Sequence, residues 1–515
     1  MKTISLGSGL LCLVLLGGCG ISTSNSNDDG GSGGAPATEL DQKLRPLIQG
    51  HGLTGDAAAG RNIPTMNDPK AQLGMKLNFT KTMSLPGDTA CVTCHHPLLG
   101  GGDGVQIAVG TGAVNTDIYG YDRVLDPAKY AKYNEIGGGP SQAVNSPTHY
   151  NSALQDRFMA WHGIIEAVNP VPGQNGKLGG LYDPDSAYAA DGSTRLPDPF
   201  AGADVPATQS RFPVQNPVEM ANFDPRWDHL DSFGKRKLLF ERFSGTGNSG
   251  AIGTNYLTAE QRAAWQQEFS RAGVPLTDAN IYNMISYYEQ TLTFTENPWK
   301  AYVRGNNNAI SETAKQGAIL FFSSYQDGGA NCAECHSGDF FTDNALHVMA
   351  VPQIGLGTQA NGDSYGREEI THLRSDRYKW RTMSLLNIAK TGPWGHDGAF
   401  TTLRGMVQHM VDPSTPYDFS NVRQAGMQNL EHTNANHAKA VAQLESNRAN
   451  GISPHKVAAL TGGQIDQIVA FLETLTDPRL NNYAYMSQFI PKDTPESRLL
   501  DLQIDVQLPP EATHP

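Results

Sequence analysis

Four of the six cysteines stand in two pairs of identical spacing, each followed directly by histidine: Cys91-Val92-Thr93-Cys94-His95 and Cys332-Ala333-Glu334-Cys335-His336. No other feature constrains the chain as strongly. Two thiols at this spacing can form thioethers to the two vinyl groups of one haem, while the adjacent imidazole reaches its iron. Structural zinc would need a fourth ligand at each site and a finger-like spacing. A redox dithiol leaves both histidines unexplained. Each motif therefore predicts one covalently bound haem c, with His95 and His336 as axial iron ligands.

The other two cysteines fall at the N-terminus. Lys2 supplies positive charge, Leu10 to Leu16 form a short apolar run, and Leu16-Gly17-Gly18-Cys19 resembles a bacterial lipobox. Residues 1–18 are thus expected to be a lipoprotein signal peptide that carries Cys12 away, leaving Cys19 lipidated. The polar residues that follow, to about 38, read as a flexible tether. The expected location is the periplasmic face of a bacterial membrane, the outer membrane being favoured, or the cell surface. Export to a compartment where c-type haem is attached agrees with the motifs, and the lipid is the only membrane contact expected. No cysteine is left for a structural disulfide.

Composition bounds the rest. A chain of 515 residues is long enough for two or three domains, and 55 Gly with 31 Pro predict helices embedded in much irregular chain. A formal charge of −13 argues against nucleic acid, whose phosphates are bound by clustered Lys and Arg, but is compatible with a basic protein partner.

The setting of the two motifs repeats. Gly74-Met75-Lys76-Leu77-Asn78-Phe79 precedes the first and Gly317-Ala318-Ile319-Leu320-Phe321-Phe322 the second, both readable as helices. Amphipathic helices follow at Ile281 to Leu292 and Ile465 to Leu475, with apolar residues at three- and four-residue spacing. The chain is accordingly expected to be mainly α, with two cytochrome-c-like haem domains and long irregular loops. The first spans 39–305 and the second 306–480, with a helix starting at Ser311-Glu312 in capping style and an extension over 481–515. Residues 170–206, rich in Gly, Pro and Asp and without helical or strand period, read as an inserted surface loop.

With these motifs in this order, the chain resembles the bacterial dihaem cytochrome c peroxidase family, which includes MauG-type enzymes. The resemblance runs from about Leu73 to Pro478, through CVTCHHPLLGGGDG at the first motif, VNSPTHYN, FPVQNPVEM, YYEQTLTFTENPW, KTGPWGHDGAFTTL and IVAFLETLTDP. It implies that the first haem reacts with hydrogen peroxide and that the second receives electrons from a small donor protein, a cytochrome c or a cupredoxin. It places Met410, in the segment opened by His396-Asp397-Gly398, as the second ligand of the second iron. Met406, one turn away, and His409 are the rivals. A tyrosine at 410 would mark the MauG-like branch, whereas a thioether raises the reduction potential and suits simple electron transfer. Glu219 matches the distal glutamate that moves protons on bound peroxide, and Gln209 the distal glutamine. Trp161 matches a tryptophan relay between the haems. Asn145, with the carbonyls of Thr391 and Pro393, matches a calcium site at the domain interface, where oxygen ligands suit the ion. A homodimer is compatible with the resemblance.

The pattern also breaks. Many family members cap the resting first iron with a histidine from a loop that here corresponds to Gly100–Val144, a stretch with no histidine. An open or water-bound first iron is expected, with Tyr133, Met159, His149 and His162 as alternative caps. Relatives have Asp-Gly-Arg where this chain has His162-Gly163-Ile164, and an arginine where it has Leu386. The expected activity is reduction of hydrogen peroxide to water by a cytochrome-c peroxidase. The alternatives are a MauG-like haem oxidase acting on a protein or organic substrate, and a non-catalytic dihaem electron carrier.

Overall fold

Each haem motif closes a single 3₁₀ turn, Cys91–Thr93 and Cys332–Glu334, in which the histidine N–H donates back to the first cysteine's carbonyl (3.1 Å for His95, 2.9 Å for His336). The computed structural model describes residues 37–504 except 127, 130–131, 133–134, 136–138 and 191–193. The expected signal peptide, lipidated Cys19, most of the tether, Tyr133 and the last eleven positions lie outside the described residues.

Ten α-helices of six residues or more are described: α1 (Glu39–Gly50), α2 (Pro69–Phe79), α3 (Ser232–Ser244), α4 (Ala259–Arg271), α5 (Asp278–Thr291), α6 (Pro298–Val303), α7 (Glu312–Phe322), α8 (Leu403–Val411), α9 (Thr433–Ala449) and α10 (Gly462–Glu473). Their starts are chemically marked. Asp68 caps α2 ahead of Pro69, Thr277 caps α5, Ser311 caps α7, and Thr461 with Gln464 closes a capping box on α10.

The expected duplication is visible in the packing. α2 lies across α5, and α7 across α10. The two crossings share one device: a side chain on Gly74 would overlap the carbonyl oxygen of Met284, and one on Gly317 that of Gln467. Glycine lets the two backbones touch at both places.

Two hydrophobic cores result. The first gathers Leu73, Leu77 and Phe79 of α2, Leu239 and Phe243 of α3, Trp265 and Phe269 of α4, and Ile281 and Ile285 of α5. The second gathers Phe321 and Phe322 of α7, Leu403 and Val407 of α8, and Ile468, Phe471 and Leu472 of α10. The termini are exchanged between them. Leu44 and Ile48 of α1, with Trp299 and Tyr302 of α6, belong to the second core. Met486, Phe489, Leu500 and Leu502 of the C-terminal extension belong to the first. Packing therefore cuts the chain differently from a single boundary at 305, because periodicity marks a buried face without saying what buries it.

The stretch 170–206 is more built than a loop. Leu181–Tyr182 (β3) joins Phe158–Met159 (β1) and Ile165–Ala167 (β2) in an antiparallel sheet, in register Phe158↔Glu166↔Tyr182. Asp183 and Asp198 are buried at Arg211. In the second unit, Leu346–Val348 (β4) pairs antiparallel with Lys379–Arg381 (β5). The two units are joined by a reciprocal amide contact: Gln106 donates to the carbonyls of Gly398 and Asn421, while Gln424 exchanges two hydrogen bonds with the backbone of Ile107.

Candidate haem sites

At both motifs the histidine is set for iron by its own tautomer. His95 Nδ1 donates to the carbonyl of Gly101 (3.4 Å) and His336 Nδ1 to that of Phe341 (3.1 Å). A ring whose Nδ1 carries the proton presents a bare Nε2 lone pair, the arrangement common to ligating histidines. Burial lowers the pKa of both rings, which keeps the lone pair free. All four motif cysteines are unpaired thiols. The donor set thus fits a haem at each motif.

Around the first motif the structure gathers polar groups. Glu219 sits in a single π-helical turn, Pro217–Ala221, a rare geometry frequent at functional sites. Asn216 starts the turn by accepting from Val218 N, and its Nδ2 donates to Glu219 Oε1 at 2.7 Å. The turn rests on Gly110, where any side chain would overlap the carbonyl oxygen of Glu219. Burial pushes the Glu219 carboxyl up to about 7, the Asn216 bond opposing it. The same carboxylate acts on the motif: after burial, the charges of Glu289 and Glu219 raise the Cys91 thiol to about 12, and Asp103 and Glu219 raise that of Cys94. Gln209 ends the short helix Val205–Gln209, its Oε1 buried without a partner among the described residues.

The described alternative caps His149, His162 and Met159 have packing partners of their own. His149 stacks on His95 itself, ring centroids 3.6 Å apart and 15° from parallel, and its Nδ1 lies 3.1 Å from the carboxylate of Glu289. A ring flush against the proximal ligand is on the proximal side. His162 packs near Trp380 in the second unit, and Met159 is part of a small core with Ile165, Leu181 and Phe212.

The second motif opens on a cavity of about 220 Å³ with mainly apolar walls. Cys332, Cys335 and His336 line it, and so do Met406 and Met410 of α8. His409 does not: its Nε2 is held at 3.1 Å from the carbonyl of Met349. The two thioethers remain as candidates on the cavity side. Met410 carries an extra support, its carbonyl lying 2.7 Å from Nε2 of His455. That carbonyl belongs to the last turn of α8, where intrahelical partners run out.

Two lining groups, Trp380 and Arg381, had no sequence signal. Arg381 is buried with Nη1 on Gln155 and on the carbonyl of Phe158, yet its Nε has no partner among the described residues. A buried guanidinium edge facing the cavity fits a haem carboxylate. His396 stacks on Trp380 (3.9 Å, 14°), with its own Nε2 unpartnered. Leu386, where an arginine was expected from relatives, is simply core.

Trp161 and the three predicted cation ligands also line this cavity. Trp161 Nε1 donates to the carbonyl of Asn145 (2.7 Å), and Asn145 N donates to the carbonyl of His396 (2.7 Å). The Asn145 amide nitrogen is spent on Val105 and Gln106 of the first unit, so its oxygen is the free end. Asn145 therefore ties the segment after the first motif to the wall of the second site.

Residues 68–308 match the model of the di-haem cytochrome c peroxidase family, a stretch that ends before the second motif. The chain is 24% identical over 344 residues to methylamine utilization protein MauG of Methylorubrum extorquens, covering 66% of this chain and 68% of that protein. It is 24% identical over 376 residues to cytochrome c551 peroxidase of Pseudomonas aeruginosa (71% and 81%). It is 27% identical over 377 residues to the MauG protein of Methylophilus methylotrophus (73% and 82%). With two haem motifs on one repeated scaffold and this match over residues 68–308, the chain is similar to the di-haem cytochrome c peroxidase and MauG family.

Proposed function

We propose that this protein reduces hydrogen peroxide to water at the haem of His95, with electrons from a small donor protein arriving through the haem of His336 and Met410. One observation carries the reading: a half-buried carboxylate, Glu219, whose pKa is pushed up to about 7, held against the first CxxCH motif by a π-turn and by Asn216. The reaction H₂O₂ + 2e⁻ + 2H⁺ → 2H₂O needs a proton moved from one peroxide oxygen to the other. When bound, haem iron supplies the site for peroxide and the route for both electrons.

Glu219 takes the proton of the inner oxygen and returns it to the outer one as it leaves. A pKa near the working pH makes both steps accessible to one group. Asn216 occupies Oε1, which leaves Oε2 for the substrate. Gln209, with a free acceptor oxygen, orients peroxide or water. Trp161 relays electrons between the haems, fixed by its bond to Asn145. Asn145, Thr391 and Pro393 hold a calcium ion whose oxygen ligands couple the two units. Cys19 carries a lipid that keeps the protein at the periplasmic face of the membrane.

The thioether of Met410, where a MauG-like oxidase would carry tyrosine, favours the peroxidase over the oxidase. Spectra of the oxidised holoprotein, before and after one equivalent of peroxide, test the reading. A high-spin first haem that changes on peroxide is expected. Two low-spin haems inert to peroxide would leave the electron carrier as the answer.

A further inference from the structure

The insertion 170–206 ends against the run that carries both distal residues of the first haem. Arg211 lies two positions after Gln209, its side chain only 6% exposed, and it holds Asp183 at 3.1 Å and Asp198 at 2.8 Å. Arg236 of α3 holds Asp185 at 2.6 Å through one nitrogen. Through the other it donates to Gln215 Oε1 at 2.9 Å. Gln215 directly precedes Asn216, whose amide holds Glu219. Phe212 lies under both guanidinium groups, 5.6 and 5.8 Å from its ring centre. Polar contacts from the insertion's carboxylates therefore reach two points of this run, Arg211 beside Gln209 and Gln215 beside Asn216, and the backbone carries them on to the distal pair.

Charged groups this deeply buried are rarely a cheap source of stability, since their desolvation cost offsets much of their attraction. What they do supply is geometry. A guanidinium cannot shed its charge, and its planar fork accepts only certain placements of its partners. Asp204, at the end of the insertion, adds a second hold: it caps the helix ending at Gln209 and accepts from Ser286 and Gln290 of α5.

We propose that the insertion is the positioning element of the first haem's distal side, its carboxylates Asp183, Asp185 and Asp198 fixing Gln209 and Glu219 through Arg211 and Arg236. The inference rests on the reading of Gln209 and Glu219 as the distal pair. These aspartates are positioning residues, since none is placed at the reacting atoms.

The test uses full-length holoprotein carrying Asp183→Asn with Asp198→Asn, read by cyanide binding at the first iron, by its high-spin signal, and by peroxide kinetics. Expected are a tenfold or larger change in cyanide binding, an altered high-spin signal, and a fall of about 10- to 100-fold in the peroxide rate, the order that a misplacement near 1 Å produces. The reduction potential of the second haem stays at its wild-type value. Asp185→Asn, at a site already a quarter exposed, reads the same chain through Arg236 in a milder variant: a smaller change in the same direction is expected, restored by Asp185→Glu. Cyanide binding and high-spin signal unchanged in a haem-loaded Asp185→Asn variant would overturn the proposal. Cyanide binding reports distal geometry whether or not peroxide is the substrate. A variant effect on cyanide in a protein inert to peroxide would thus sink the peroxidase reading and keep this one.

Discussion

His95 and His336 follow the same five-residue motif on the same helix crossing, yet their surroundings have little in common. Beside the first lie a half-buried carboxylate, an amide oxygen without a partner among the described residues and a stacked imidazole with its own acid, Glu289. Around the second lie two thioethers, two stacked rings and an apolar cavity. The motif decides where a haem is attached and which nitrogen meets the iron. On the proposed reading, groups from distant parts of the chain divide the work: proton traffic at one, electron storage at the other.

The sharpest way to break this contrast is Glu219→Gln, which keeps shape and removes the proton acceptor. Peroxide turnover should fall by about 10²- to 10⁴-fold, with second-haem spectra unchanged. Turnover within a factor of two of wild type by stopped flow would end the assignment.

The contrast also has a pH signature. Since the acceptor form of Glu219 is the ionised one and burial raises its pKa to about 7, the peroxide rate should rise with pH up to about 7 and level off above. Below that point it should lose about tenfold per pH unit, and Glu219→Gln should flatten this limb. A wild-type profile flat from pH 5.5 to 8 would contradict it.

On the other side, Met410→Leu should lower the second haem's reduction potential and slow donor-driven turnover by about tenfold, while Met406→Leu leaves both unchanged. Redox titration decides between them, and the reverse outcome would move the ligand one turn along α8. The smallest effect is expected from Trp161→Phe, which keeps an aromatic ring but loses the bond to Asn145. Electron transfer between haems should slow by about threefold to tenfold, the loss of one positioning hydrogen bond, with each haem's own spectrum intact. Unchanged flash-reduction kinetics would remove Trp161 from the route.

Much of the second site was legible in the residues themselves. Cys332 to His336 is read from spacing, whereas Met410 is implied only by the resemblance to the family. The choice among Met406, His409 and Met410 was not, because which side of a short helix faces a cofactor depends on what packs behind it. His409 is removed by the carbonyl of Met349, sixty residues away. Gly74 and Gly317 stand out as a repeated pattern, but only the crossing helices explain why neither can carry a side chain. The insertion misled for a physical reason. Asp183, Asp185 and Asp198 look solvated in a Gly- and Pro-rich stretch, and burial of an acid becomes legible only with its arginine in place.

The exchanged termini have a consequence for how the molecule is made. The first haem's core is completed by Met486, Phe489, Leu500 and Leu502, and Thr93 inside the first motif donates to Gln503. A chain made from its N-terminus has its first CxxCH motif more than four hundred residues before Leu502 and Gln503 follow. The core around Cys91 and Cys94 is therefore complete only once the C-terminal extension has been made. The second core draws on α1 and, among the described residues, on nothing beyond Leu475, so its last segment is made before the extension that finishes the first.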